Sequence, residues 1–185
     1  MRLFVAVHLP EEIQEQLALV QDRLRHAQAD VSWVRSGSLH ITLKFLGEVE
    51  PRRLDRVRHA LTEAAQGVAS FSLVVAGVGT FGGRIPRVVW TGVQAGSKPL
   101  EGLAARVDDS LGGVGFPKEK RGFTGHFTLG RVRSPRNVES LLAALRVESE
   151  EIFGTMSVEG YSLMQSELTP SGSIHTELDR YLFRT

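Results

Sequence analysis

The sequence repeats its own order, and that repetition restricts the folds open to it more than any other feature. Leu3 to Leu9 is an apolar, β-branched run. Pro10 can then open a helix whose first turn carries Glu11 and Glu12 and whose apolar stripe is Ile13, Leu17, Val20 and Leu24. Leu39 to Leu46 reads as a strand ending at Gly47. Pro51 opens a second helix with Leu54, Val57, Leu61 and Ala65 on one face, and Phe71 to Val78 reads as a third strand. The same succession starts again at Val88: a strand to Val93, a helix from Pro99 to Leu111, a strand beginning at His126, and a helix opened by Ser134 and Pro135. A strand Met156 to Met164 then matches Phe71 to Val78. The offsets agree, since Arg2 to His40 is 38 positions and so is Val88 to His126.

Strand, helix, strand, helix, strand, written over residues 1–80 and again over 86–185 with an extra strand from His175 to Phe183, predicts an α+β fold. One bilobal domain with a pseudo-two-fold repeat is the expected organisation, the lobes facing each other. A chain of 185 residues with 42% hydrophobic content has enough material for that core. Its 22 basic and 21 acidic residues nearly cancel, so no global field holds a long duplex and any nucleic-acid contact is local. The absence of cysteine excludes disulfides, thiolate nucleophiles and cysteine-bearing zinc sites. Leu3 to Val7 is too short for a signal segment, and no apolar run reaches membrane-spanning length, so a cytoplasmic protein that meets no membrane is expected.

The sharpest signal lies inside the matched strands: His40-Ile41-Thr42-Leu43 and His126-Phe127-Thr128-Leu129. Side chains i and i+2 of a strand share a face, so each strand presents one imidazole beside one hydroxyl while its apolar residues turn to a core. For one such strand an ordinary solvent-facing surface is the better account. Two strands change the balance. Six histidines and ten threonines in 185 residues yield roughly a third of one His-x-Thr by chance, and here two stand at matching points of a repeat.

In-line displacement at phosphorus suits this arrangement, because the attacking and leaving oxygens lie on opposite sides of the phosphoryl group. Acid and base must face each other, and histidine serves as either near neutral pH. Thr42 and Thr128 are placed to donate hydrogen bonds to the non-bridging oxygens. No His-x-His, His-Glu-x-x-His or carboxylate cluster accompanies either motif, so neither metal nor cofactor is expected.

These motifs resemble those of the two-histidine phosphoesterases, specifically the bacterial and archaeal RNA 2′,3′-cyclic phosphodiesterases, also called 2′-5′ RNA ligases. The likeness covers nearly the whole chain. It rests on Met1 to Val7, on His40-Ile41-Thr42-Leu43-Lys44-Phe45-Leu46-Gly47-Glu48, on His126-Phe127-Thr128-Leu129-Gly130-Arg131, and on the tail Ser166 to Gly172. The resemblance implies antiparallel sheets lining a central cleft with helices outside, no metal, and hydrolysis of the cyclic phosphate to a 2′-phosphate end. It implies His40 as proton donor and His126 as acceptor. The partners it implies are RNA ends bearing a 2′,3′-cyclic phosphate, tRNA halves among the candidates, met by a monomer.

Two positions depart from the family pattern: Gly125 stands where proline usually precedes the second histidine, and His175 where tyrosine is common. His175 reads as a strand residue, with a substrate-contacting variant of the family's tyrosine as the alternative, and His8, His26 and His59 read as surface residues. The family often keeps an arginine at Arg131, where it would clamp a phosphate oxygen. Strict alternation puts Arg131 on the face opposite His126, so it reaches the phosphate only if the strand bulges or ends near Gly130.

Gly112 to Gly125 holds five glycines with Lys118, Lys120 and Arg121, and reads as a mobile basic loop at the cleft mouth, placed for contact with an RNA backbone. Phe45, Phe81, Trp90 and Phe123 are the aromatics available to stack a base. Two other readings share the motifs: a phosphoesterase for small cyclic nucleotides or ADP-ribose cyclic phosphate, and a non-catalytic RNA-end binding protein. The second would be better served by Arg and Lys than by a His and Thr pair.

Overall fold

A computed structural model describes residues 1–83, 85–170 and 172–184, so Ser171 of the tail motif lies outside the described residues. In chain order the elements are β1 (Arg2–His8), α1 (Glu11–Arg25), β2 (Val31–Trp33), β3 (His40–Glu48), α2 (Leu54–Ala65), β4 (Phe71–Phe81) and β5 (Val88–Ala95). They continue with α3 (Ser97–Gly113), β6 (His126–Val132), α4 (Val138–Val147), β7 (Ile152–Val158), β8 (Gly160–Thr169) and β9 (Gly172–Leu182). Helix α1 follows Pro10, carries Glu11 and Glu12 in its first turn and Arg23 and Arg25 in its last, and buries Ile13, Leu17, Val20 and Leu24. No helix among the described residues is long and apolar enough to cross a membrane.

Two antiparallel sheets form, ordered β3-β1-β8-β9 and β2-β6-β5-β4-β7. The matched strands of the two halves take matched places, β3 and β1 in one sheet, β6 and β5 in the other. The third strand of each half is exchanged: β4 joins the second sheet and β8 the first. Helices cross over too. Helix α1 packs on β7 and α4, whereas α3 packs on β3 and α2 on β9, so each sheet is covered by helices from both halves. One core runs through both lobes, from Leu3, Val5 and Ile41 to Val89, Phe127 and Leu129. The result is the mixed α+β, pseudo-two-fold architecture expected.

Two expectations need correction. The strand Met156 to Met164 is two strands in different sheets, because the chain leaves β7 at Val158 and enters β8 at Gly160. The crossing is tight: the Phe183 N–H donates to the Glu159 carbonyl at 2.8 Å. A Cβ at position 160 would lie 2.3 Å from the Tyr181 carbonyl oxygen, so glycine is what lets β8 start against β9. Strand β2, three residues long, carries no periodicity and escapes sequence reading. The equal offsets also conceal a difference, since His8 pairs with His40, 32 residues on, and Gly92 with His126, 34 residues on.

Candidate active site

The cleft-facing residues of both motif strands follow from hydrogen-bond register. On β3, Thr42 pairs with Ala6 and Lys44 with Val5, which leaves Leu43 as an extra residue and puts a β-bulge there. On β6, Thr128 pairs with Trp90 and Gly130 with Val89, leaving Leu129 as the extra residue. Both bulges fall on the fourth residue of the His-x-Thr-x motif. Each inverts the alternation beyond it. In the first lobe His40, Thr42 and Phe45 therefore share a face and Lys44 turns inward. In the second, His126, Thr128 and Arg131 share a face and Gly130 turns inward. The bulge that Arg131 needed is present, and Arg131 is exposed on the face of His126, opposite Ser32 of β2. The buried Gln21 holds this bulge from α1, its Nε2 donating to the carbonyls of Leu129 and Val34 at 2.8 Å each.

The imidazoles are oriented alike. His40 Nδ1 lies 2.7 Å from the Ser38 carbonyl and His126 Nδ1 lies 2.8 Å from the Thr124 carbonyl. A carbonyl only accepts, so each Nδ1 carries the hydrogen and, in the neutral ring, each Nε2 is the nitrogen with a free lone pair. Strands β3 and β6 come within 8 Å of each other between Cα atoms, which brings the two motif strands together across the sheets. Phe81, stacked on Trp90 with ring centroids 5.1 Å apart, meets His126 edge-on at 4.9 Å.

His40 rests on an apolar floor. Phe4 lies 4.9 Å from it between ring centroids and belongs with Ala6 and Met164 to a small cluster apart from the main core. Burial lowers the His40 pKa to about 4; the Ser38 hydrogen bond opposes this, and His175 and His8 push the same way as burial. His175 lies in β9, as the favoured of the two readings had it, but a bare strand position is not the whole account. Its ring meets His40 edge-on at 5.2 Å and Phe4 at 5.1 Å, and burial lowers its pKa as well. His8 is likewise not a surface residue. It stands opposite His40 in the ladder, half-buried, with Nε2 3.3 Å from Met164 Sδ and 3.8 Å from Glu177. No local pattern signalled either one, because His8 reaches His40 through strand pairing and His175 through a ring contact from the strand at the other end of the sheet. His26 and His59 are exposed, as expected.

With its pKa near 4, His40 is neutral at pH 7. An anionic phosphate beside it favours the imidazolium and raises that pKa. The His40 ring resonances should therefore titrate near pH 4 in the free protein and at least about one unit higher with a nucleoside 2′-phosphate bound. An unmoved midpoint would mean that the phosphate does not sit against His40.

Gly125 also has a structural explanation. A Cβ there would lie 2.6 Å from Leu100 Cδ2, and Leu100 is fully buried, so the core of α3 occupies the space that the usual proline would need. The expected mobile loop is anchored over its first half. Phe116 is buried beneath the Arg53 guanidinium, Lys44 Nζ donates to the Pro117 carbonyl at 2.7 Å, and the Glu119 N–H donates to Asp108 at 3.2 Å. Lys44 itself is 2% exposed and ion-paired with Asp108 of α3, a role its place in a strand motif did not announce. Among the described residues no three His, Asp or Glu side chains come together as a ligand set.

Paired sheets, each offering an Nε2 and a threonine to a shared cleft, define a two-histidine phosphoesterase. The family description LigT-like phosphoesterase matches the chain twice, over residues 7–90 and 92–175, once for each half of the repeat. The chain belongs to this family. Among its relatives, the RNA 2′,3′-cyclic phosphodiesterase of Methanothermobacter thermautotrophicus is 35% identical over 96% of both chains. That of Archaeoglobus fulgidus is 38% identical over 96% of this chain and 98% of its own. Among solved structures, TT0787 of Thermus thermophilus superposes with a TM-score of 0.83 at 29% identity, covering 100% of this chain and 98% of its own. Escherichia coli LigT complexed with 3′-AMP gives 0.77 at 26% identity with the same coverage.

Proposed function

We propose that this protein is an RNA 2′,3′-cyclic phosphodiesterase that opens the cyclic phosphate to a 2′-phosphomonoester, with His40 as proton donor and His126 as proton acceptor. The observation that carries this reading is the matched pair of imidazoles, each with Nδ1–H locked on the carbonyl two residues earlier and Nε2 turned to the cleft. Water attacks phosphorus as His126 Nε2 takes its proton. The bond from phosphorus to O3′ breaks, and the proton on His40 Nε2 goes to the leaving oxygen. The enzyme is left with the two protonation states exchanged, and solvent restores them. Thr42 and Thr128 donate to the non-bridging oxygens, and Arg131, brought to this face by the bulge, clamps one of them.

A 5′-hydroxyl in place of water gives a 2′-5′ linkage by the same displacement, which accounts for ligation as a second outcome of one site. The protein acts as a monomer on RNA ends such as those of tRNA halves. Incubating it in EDTA with an oligonucleotide that ends in a 2′,3′-cyclic phosphate tests the reading. Hydrolysis at an undiminished rate to the 2′-phosphate is expected. A 3′-phosphate product, or strict dependence on an added divalent metal, would sink the mechanism.

A further inference from the structure

Beyond the motif threonine, β3 runs on to Phe45, which is 62% exposed on the same face as His40. From His40 to Phe45 is four steps of the β1 ladder, about 13 Å at the usual rise of ~3.3 Å per residue. There a cavity of about 480 Å³ opens between Phe45, Leu46 and Gly47 on one side and Pro117, Lys118, Glu119, Lys120 and Arg121 on the other. Its charges are not equivalent. Lys118 is tied to Asp109 at 2.6 Å, whereas Lys120 and Arg121 are exposed and, among the described residues, have no carboxylate partner.

The loop's position is set from inside the fold. The bulge at Leu43 turns Lys44 into the core, where it pairs with Asp108 and binds the Pro117 carbonyl, while Asp108 also receives the Glu119 N–H. A buried ammonium with carboxylate and carbonyl partners holds its geometry far better than an exposed pair does. The strand that carries His40 thereby fixes where the two free cations stand.

We propose that this cavity is the subsite for the phosphodiester backbone upstream of the terminal nucleotide, with Lys120 and Arg121 as its anion contacts and Lys44 and Asp108 as positioning residues. This rests on the function proposed above and extends it. The protein distinguishes an RNA strand from a lone cyclic nucleotide because the strand alone carries phosphates that reach past Phe45.

Measuring kcat/KM for a mononucleoside 2′,3′-cyclic phosphate and for a short oligonucleotide with the same end separates the two ideas. The wild type should favour the oligonucleotide by on the order of tenfold or more. The K120Q/R121Q double variant should lose that preference while its mononucleotide rate stays unchanged. Its dependence of log kcat/KM on log salt for the oligonucleotide should flatten by about 1.4, at ~0.7 per single-strand phosphate contact. Lys44→Met, checked for folding by circular dichroism, should lose the preference in the same way. Equal rates on both substrates, or a preference that survives K120Q/R121Q, would overturn the subsite. Failure to hydrolyse either substrate would instead overturn the function on which it rests.

Discussion

Replacing either His40 or His126 with alanine lowers kcat/KM on a cyclic-phosphate RNA end by on the order of 10² to 10⁴, the usual contribution of one positioned acid or base. Among the described residues no second imidazole meets the His126 ring. The ring that does meet it is Phe81, edge-on, and Trp90 is stacked on Phe81. His40 does have a second imidazole nearby, His175, yet that ring has an Nδ1 that is buried without a hydrogen-bond partner and is not braced on a carbonyl as His40 and His126 are. The double variant should lose much less than the product of the single losses, because a half-removed acid and base pair no longer works as a unit. Either single variant running at the wild-type rate would mean that the motifs are scaffold. Folding should survive both changes, since His40 packs on Phe4 of the small separate cluster and His126 meets the part-exposed Phe81, neither of which belongs to the main core.

Thr42→Ala and Thr128→Ala are each expected to slow turnover by on the order of 10² to 10³, the loss seen when one preorganised donor to transition-state charge is removed. Their positions support the estimate. Each is two residues from its histidine, on the same face, and immediately before a bulge. The effect should appear mainly in kcat, because charge on the non-bridging oxygens is redistributed as the bond to O3′ breaks and the hydroxyls gain most there. A folded variant with unchanged kcat would show that its hydroxyl only lines the strand. Thr→Ser at either position keeps the donor and should retain most of the rate.

The order of elements and the pairing of the two motifs were legible because they depend on local periodicity: a run of alternating or apolar residues, a proline at a helix start, a repeated tetrapeptide. What could not be read are features set by distant partners. The exchange of β4 and β8 between sheets, and the break at Glu159 that separates β7 from β8, depend on which edges are open when the chain arrives. Arg131 is the instructive case. Alternation placed it on the wrong face, and a bulge at Leu129, set by register against β5 and held by a glutamine 108 residues away, brings it round. The bulge at Leu43 sends Lys44 inward for the same reason, so a lysine that strict alternation would put on the face of His40 and Thr42 is among the most buried polar groups of the described residues. His8 and His175 reach His40 through ladder pairing and ring contact, and nothing in the residues around either one records it.

The division of labour between the two imidazoles can be measured with a cyclic substrate in which sulfur replaces the 3′ oxygen. A thiolate leaves without being protonated, so this substrate makes the general acid dispensable while still requiring a base for the attacking water. The account predicts that His40→Ala recovers to near the wild-type rate on the sulfur substrate whereas His126→Ala remains slow. Recovery of neither variant, with both folded, would contradict an acid and base pair built from His40 and His126.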